Sequence, residues 1–227
     1  MSEPSTRAVE RALILLANIC DHGSMNLVES ARQAELAPST ALRLLRTLEN
    51  TGFIRRDDVG NFRAGSRIIQ LGAQSLSSES LIDICRATME ELSATTGESV
   101  YLSVEGHART ALYIAIVEGT HSVRHTSWVG RTIPLESSAA GQVLRGSIGD
   151  AGYTVVERGV ESDVTAIATP IRSNHRIIAA LSIVVPSYRI TDDDVARYGE
   201  LLVAECTRIS AGLSGADGRS TSKDTQK

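Results

Sequence analysis

The sequence predicts an α+β chain, in which a helical N-terminal domain with a short hairpin and two connecting helices precede an antiparallel sheet domain with helices. The N-terminal third repeats apolar residues with the 3.6-residue period of amphipathic helices. From Glu98 onward, short segments are rich in β-branched residues and often alternate, as strands do. We expect domains at residues 5–65 and 98–213, connecting helices at 66–97, and a disordered polar tail at 214–227.

The composition is that of a globular protein and does not by itself indicate a partner. The chain has 227 residues, is 42% hydrophobic and 22% charged, and carries a formal net charge of −4. The charge is uneven, because residues 1–75 hold nine arginines against eight acids, a net of +1, and the remainder has a net of −5. Any basic patch must therefore be local.

Cysteine use and hydropathy indicate a reduced cytoplasmic protein. Cys20, Cys85 and Cys206 are far apart, make no metal-ligand spacing, and are expected to be buried thiols. No segment resembles a signal peptide or reaches the roughly 20 apolar residues that span a bilayer. We expect neither a metal nor a cofactor.

Residues 37–48, APSTALRLLRTL, predict an amphipathic helix with two distinct faces. Pro38 suits the first helical turn, where its missing N–H is not needed. The polar face combines two arginines with small hydroxyl residues: Ser39, Thr40, Arg43, Arg46, Thr47 and Asn50. The opposite face is apolar and holds Ala41, Leu44, Leu45 and Leu48. Guanidinium groups and short donors in this pattern suit a DNA recognition helix, and the alternative is an ordinary surface helix.

The preceding residues predict two further helices. Ser5 or Thr6 caps the first, whose buried side is expected to hold Val9, Ala12, Leu13, Leu16 and Ile19 or Cys20. Gly23 ends it. Asn26 and Glu29 form a variant capping box for a short second helix through Ala34. A short turn then leads into the amphipathic helix, which completes a helix-turn-helix pattern.

The stretch FIRRDDVGNFRAG predicts a hairpin after that helix. Its two short strands, residues 53–56 and 61–63, flank a turn at 57–60. Arg55, Arg56 and Arg63 would then lie near DNA phosphates, as in a winged helix, and the alternative is a solvated hairpin. We expect base-edge or phosphate contacts from the polar face of the recognition helix. Phosphate or minor-groove contacts are expected from Arg7, Arg11, Arg55, Arg56 and Arg63.

Further elements follow in order. Helices are expected at residues 66–76 and 81–95, interrupted at 77–80, and they offer a plausible dimer surface. Strands are expected at 100–104, 110–117, 122–127, 154–157, 165–171 and 177–184. Helices at 137–145 and 192–213, the latter capped by Thr191, are expected to cover one face of the resulting antiparallel sheet.

Taken together, these motifs resemble the IclR family of bacterial transcriptional regulators over nearly the whole chain. The matching motifs are RAVERALILLANI, APSTALRLLRTLENTGFIRRDD, NFRAGSRIIQLG, TGESVYLSV, VGRTIPLESSAAGQVL and VTAIATPIRSNHRIIAALSIVVP. The resemblance implies a winged helix-turn-helix domain, a linker helix and an effector-binding domain with a GAF/PAS-like sheet. It also implies a homodimer or homotetramer on (pseudo)palindromic operator DNA. Its effector would be a small metabolite, often a carboxylate or aromatic acid, and family members include repressors and activators.

The resemblance also places an effector pocket. It is expected at the helix opened by Ser137, Ser138, Ala139 and Ala140, near His125, at the loop from Glu157 to Ala166, and at Ser182. Small residues at a helix start leave backbone N–H groups and hydroxyls open to an anion. The alternative roles are an N-cap for Ser137, a solvent-facing strand residue for His125 and a small buried residue for Ser182. Trp128 is more typical of a core or an interface.

This chain departs from the family pattern after Leu144, where only residues 145–151 stand in place of a longer helical segment. A smaller or more open pocket would follow from that trimming.

Two other functions compete with the regulator. An enzyme is not expected, because the chain has no G-x-S-x-G, H-E-x-x-H, P-loop or G-x-G-x-x-G motif. The second alternative is a ligand-independent architectural DNA-binding protein, whose C-terminal domain only oligomerises.

Overall fold

The computed structural model describes residues 6–78, 80–121 and 128–220. It divides into two compact units, Met1–Glu79 and Ser80–Lys227. The division falls inside the segment 66–97 that was predicted to connect the domains. Among the described residues, no helix is both long enough and apolar enough to cross a bilayer.

The N-terminal unit contains three helices, a hairpin and a fourth helix. These are α1 (Arg7–His22), α2 (Leu27–Gln33), α3 (Pro38–Asn50), β1 (Ile54–Arg56), β2 (Phe62–Ala64) and α4 (Ser66–Ser78). The capping box of α2 is present as predicted, since Asn26 Oδ1 accepts from the Glu29 N–H and Glu29 Oε2 accepts from the Asn26 N–H. Helices α1, α2 and α3 surround a core that includes Leu15, Leu45 and Phe62.

The predicted buried side of α1 is wrong in part. Leu15 and Ile19 are fully buried, whereas Val9 and Leu13 are 56% and 57% exposed. Cys20 is exposed as well, so it is not the buried thiol that was expected. The helix carries apolar residues around most of its circumference, so periodicity alone does not identify the face that packs.

The C-terminal unit is built on a six-stranded antiparallel sheet. Its elements are α5 (Ser80–Thr96), β3 (Ser99–Glu105), β4 (Thr110–Val117), β5 (Thr132–Pro134), α6 (Ala139–Leu144), β6 (Thr154–Glu157), β7 (Val164–Ser173), β8 (Arg176–Pro186) and α7 (Asp192–Ser220). The strand order is β5-β4-β3-β8-β7-β6. Within the described residues, the α+β class with an N-terminal helix-turn-helix unit and an antiparallel sheet domain is therefore confirmed.

The two faces of the sheet carry different helices, which corrects the expectation that all helices cover one face. Helices α5 and α7 pack on the face that holds Leu102, Leu181 and Ile183. The short helix α6 packs on the other face, which holds Tyr101, Tyr113, Ala168, Ala180 and Val184. The alternation of side chains along each strand separates these two sets of residues.

Several predicted bounds differ from the structure. Helix α7 runs to Ser220, seven residues past the predicted end and into the segment predicted as a disordered tail. Strand β5 was not predicted, because three residues are too few for a periodic signal. The strand predicted at 122–127 and residues 221–227 lie outside the described residues.

Candidate DNA-binding surface and ligand cavity

Helix α3 presents its polar face to solvent. Ser39, Arg43 and Arg46 are exposed and Thr40 is half-buried, whereas Ala41 and Leu45 are fully buried on the other side. In residues 6–78, the ion pairs that form involve the arginines of the hairpin and leave Arg43 and Arg46 unpaired. Their guanidinium groups are therefore available to an external acceptor.

The hairpin after α3 also displays arginines, but two of them are already held by acids. Arg63 Nε donates to Asp57 Oδ2 at 2.9 Å, and this guanidinium lowers the pKa of the Asp57 carboxyl. Arg56 Nε lies 3.3 Å from Glu49 Oε1, and the Arg56 guanidinium stacks 4.7 Å from the centre of the Phe62 ring. The exposed Arg55 lies opposite Arg63 in the strand register. The wing thus offers a smaller free positive charge than its sequence suggests.

Asp57 organises the turn of the wing. Its Oδ1 accepts from the backbone N–H groups of Val59 at 3.2 Å and Asn61 at 2.9 Å, while its Oδ2 holds Arg63. This is the side-chain-to-backbone pattern that makes Asp common in turns. Arg7 and Arg11 are exposed on α1 and add positive charge to the same unit.

A cavity lies between α6 and the sheet face that carries Tyr113 and Ser182. The empty space inside it, with the open mouth included, is about 430 Å³. Five predicted residues line it: Ser137, Ser138, Ala139, Ala140 and Ser182. Glu157 does not, because the alternation of β6 turns Val156 inward and leaves Glu157 exposed. His125 lies outside the described residues.

Aromatic and apolar side chains form most of the remaining wall. The ring centroids of Tyr113 and Trp128 are 6.3 Å apart, and Tyr101 packs behind Tyr113 at 4.6 Å. Burial raises the pKa of Tyr113, so its phenol stays protonated. Glu161 contributes a carboxyl to the lining. The remaining lining residues come from β5, β6, β7, β8 and the β6–β7 loop: Ile133, Val156, Gly159, Val160, Val164, Ala166 and Val184.

The serines of the cavity have different roles. Ser138, and not Ser137, is the N-cap of α6, since Ser138 Oγ accepts from the Gly141 N–H at 3.1 Å and donates to the Pro134 carbonyl at 2.6 Å. Ser137 is exposed at the mouth. Ser182 is 2% exposed on the cavity wall, and its hydroxyl has no hydrogen-bond partner among the described residues. A buried hydroxyl without a partner costs free energy unless something else satisfies it.

Tyr113 was missed by sequence reasoning, whereas the loop from Glu157 to Ala166 was expected at the pocket and contributes Gly159, Val160, Glu161, Val164 and Ala166 to the lining. Tyr113 stands at an alternate position of a correctly predicted strand, but nothing in that alternation shows which face holds a cavity. Trp128 was assigned to a core or interface, and it lines the cavity. In the described residues, no group of three or more His, Cys, Asp or Glu side chains is placed to hold a metal ion.

A winged helix-turn-helix unit followed by a sheet domain with a cavity on one face is an architecture of transcriptional regulators. Two family models match this chain: the IclR helix-turn-helix domain at residues 8–58 and the bacterial transcriptional regulator IclR C-terminal domain at residues 73–151 and 146–211. The chain belongs to the IclR family of bacterial transcriptional regulators.

Curated relatives match over almost their full length. The transcriptional repressor IclR of Escherichia coli is 27% identical, with 93% of each chain covered. The acetate operon repressor of Salmonella typhimurium is also 27% identical, with 92% of this chain and 90% of that protein covered. Both relatives are named as repressors.

Solved structures share the fold. A regulator of this family from Brucella abortus has a TM-score of 0.78 at 18% identity and covers 94% of this chain and 96% of its own. A homologue from Microbacterium hydrocarbonoxydans, complexed with 4-hydroxybenzoate, has a TM-score of 0.76 at 22% identity and covers 92% of this chain and 99% of its own.

The comparisons also concern the length of the chain. The match to the Escherichia coli repressor extends over 254 positions, more than the 227 residues of this chain, so that relative contains residues that this chain lacks. The C-terminal family model matches in two pieces that meet at 146–151, inside the turn between α6 and β6.

Proposed function

We propose that this chain is a DNA-binding regulator whose operator affinity is controlled by a small organic or aromatic acid bound in the cavity. The exposed, unpaired guanidinium groups of Arg43 and Arg46 on α3 carry the DNA part of the proposal. Ser39 and Thr40, near the start of the same helix, add short donors. The wing, through Arg55, Arg56 and Arg63, and α1, through Arg7, add phosphate contacts.

Arg43→Ala tests the DNA part. We expect about a 5- to 150-fold loss of operator affinity if Arg43 reads a guanine, because such a contact is worth about 1–3 kcal/mol. Fluorescence anisotropy with DNA upstream of the chain's own gene, at several salt concentrations and with nonspecific competitor, measures it. The matched control is Arg176→Ala, an exposed arginine of the other unit. Equal affinities for the wild type and Arg43→Ala would remove Arg43 from the interface.

The ligand part is carried by the unpaired Ser182 hydroxyl in an aromatic-lined cavity. A ring would pack between Tyr113, Trp128 and the valines, while a polar group of the ligand satisfies Ser182. An acid is favoured by the N–H groups of the first turn of α6, next to Ser137, and by analogy with the neighbour that holds 4-hydroxybenzoate. His125 and Glu157, which the resemblance placed at this site, carry no part of the proposal.

Ser182→Ala tests the ligand part. We expect about a 2- to 13-fold weaker acid binding, since one hydrogen bond contributes about 0.5–1.5 kcal/mol. Isothermal titration with 4-hydroxybenzoate and a panel of small organic acids measures it. Ser103→Ala is the matched control, because Ser103 is equally buried and unpaired but does not line the cavity. Equal effects of the two substitutions would contradict a ligand contact by Ser182.

The second candidate is an architectural DNA-binding protein without a ligand, and the shortened turn beside the cavity favours it. The two are separated by whether any acid of the panel shifts DNA affinity, because regulation requires different ligand affinities for two states. In both cases we propose a cytoplasmic homodimer or homotetramer that acts by binding and not by turnover. Light scattering of the full chain measures its size.

A further inference from the structure

A buried ion pair lies outside both sites, where α5 meets the sheet. Glu98 comes two residues after α5, is 3% exposed and directly precedes β3. Its carboxylate accepts two hydrogen bonds from Arg189: Oε1 from Nε at 2.8 Å and Oε2 from Nη2 at 2.6 Å. A bidentate arginine pair is geometrically specific, and removing one partner leaves a charge in a poorly hydrated place.

A third group reaches the same carboxylate from the segment after β4. His121 Nε2 lies 3.5 Å from Glu98 Oε1. The segment is also tied to α5, because Ser93 Oγ donates to the Glu118 carbonyl at 3.1 Å. The His121 ring lies against Gly97, since a Cβ there would be 2.5 Å from His121 Nε2. The end of α5, the start of β3 and the end of β4 therefore meet tightly at Glu98.

This junction is continuous with the cavity through β3. Tyr101, three residues after Glu98, packs its ring 4.6 Å from that of Tyr113 in the cavity wall. In the register of β3 and β8, Tyr101 also lies opposite Ser182. Packed side chains and one strand thus connect the cavity to the end of α5, the helix that the chain enters from the N-terminal unit.

We propose that Glu98 is a positioning residue that transmits occupancy of the cavity to α5. The proposal rests on the proposed function, because it assumes that the cavity takes a ligand. A ligand that displaces Tyr113 displaces Tyr101 and β3, and the Glu98 carboxylate, held by Arg189 and His121, moves the end of α5. Such a chain of contacts is a coupling path only if a measured coupling free energy follows it.

A double-mutant cycle tests this without DNA or effector. Ala166→Leu places a larger side chain in the cavity as a substitute for a ligand, and Glu98→Gln removes the charge of the junction. The readout is amide hydrogen exchange of residues 93–97 in the full chain. We expect Ala166→Leu to change these exchange rates about two- to tenfold in the wild-type background. In the Glu98→Gln background, Ala166→Leu should leave the exchange rates unchanged.

Two controls make the cycle decisive. Glu205→Gln breaks an exposed Glu–Arg pair on α7 and should leave the response to Ala166→Leu intact. If Glu98→Gln does not fold, Arg189→Lys takes its place, since lysine keeps the charge and loses the bidentate fork. An equal response in both backgrounds, or no response in the wild-type background, would overturn the proposal. Neither result contradicts the proposed function, because that function is tested by the Arg43 and Ser182 variants.

Discussion

The exposed polar face of α3 in the N-terminal unit and the cavity of the C-terminal unit are built in opposite ways. On α3, the side chains of one helix point outward and contact little else, so Arg43 and Arg46 can be removed without disturbing the core. The cavity is assembled from one helix, five strands and the segments between them, and its walls are also the core of the sheet. Function and stability are therefore separable in the first region and bound together in the second.

The largest expected effect comes from substituting a glycine behind the cavity. A Cβ at Gly141 would sit 2.4 Å from the Leu135 Cα, and backbone atoms cannot move aside as a flexible side chain can. We expect Gly141→Ala to destabilise the unit by about 1–3 kcal/mol, as overpacking does. Thermal unfolding measures it, together with ligand affinity, and both should fall.

Gly212→Ala is the matched control, because Gly212 is a helical glycine of α7 with open space around it. Relief of glycine's poor helix propensity should raise stability by up to about 1 kcal/mol there. If Gly141→Ala proved as harmless as Gly212→Ala, the contrast between a tightly packed cavity and an open DNA-binding face would be lost.

A smaller effect is expected when Arg63 of the wing is released from its ion pair with Asp57, so that its guanidinium is free like those of Arg43 and Arg46 on α3. Asp57→Asn keeps an oxygen for the Val59 and Asn61 N–H groups but gives up the charge that pairs with Arg63. The released guanidinium should add a phosphate contact and steepen the salt dependence of DNA binding by about one unit of slope. Anisotropy titrations at several salt concentrations measure the slope.

Asp58→Asn makes the same change of net charge in the same turn, where no described hydrogen bond or ion pair involves Asp58. A slope that steepens equally for both variants would show a general charge effect in place of a released Arg63.

The smallest expected effect is a pH dependence confined to the wing. Arg63 lowers the pKa of Asp57, so the pair contributes stability above the ordinary Asp pKa of about 3.9, and this contribution is lost as pH falls through the lowered value. The Asn61 amide, which donates to Asp57, reports this by nuclear magnetic resonance. The chemical shift of this amide should stay constant between pH 7 and the ordinary Asp pKa and should change below that pKa. Asp57→Asn should remove this transition.

Local sequence signals predicted the two faces of α3 and the start of α2 well. The faces of α3 and the capping box of α2 depend on residues three or four apart, so each can be read from a short window. The buried face of α1 could not be read this way, because apolar residues cover most of its circumference and include both exposed Leu13 and buried Leu15. The ion pairs of Arg56 with Glu49 and of Arg63 with Asp57 were not predicted either. The alternation of residues along a hairpin does not show which charged side chains come close in space.

The cavity was less predictable because the residues that line it are far apart in the sequence. Ser137 to Ala140 and Ser182 were placed through the family resemblance, and periodicity alone did not place them. Glu157 was expected near the pocket but does not line the cavity, because a shift of one residue along a strand turns a side chain to the opposite face. The close approach of Leu135 to Gly141 leaves no sequence signal beyond the glycine itself.

The short turn between α6 and β6 has a consequence for protein engineering. The C-terminal family model matches this chain in two ranges that overlap at 146–151, in an exposed turn. Exposed turns of this kind accept inserted domains. A fluorescent protein inserted between Gly149 and Asp150 would join α6 and β6, two elements that line the cavity, and its emission would report changes in the shape of that cavity.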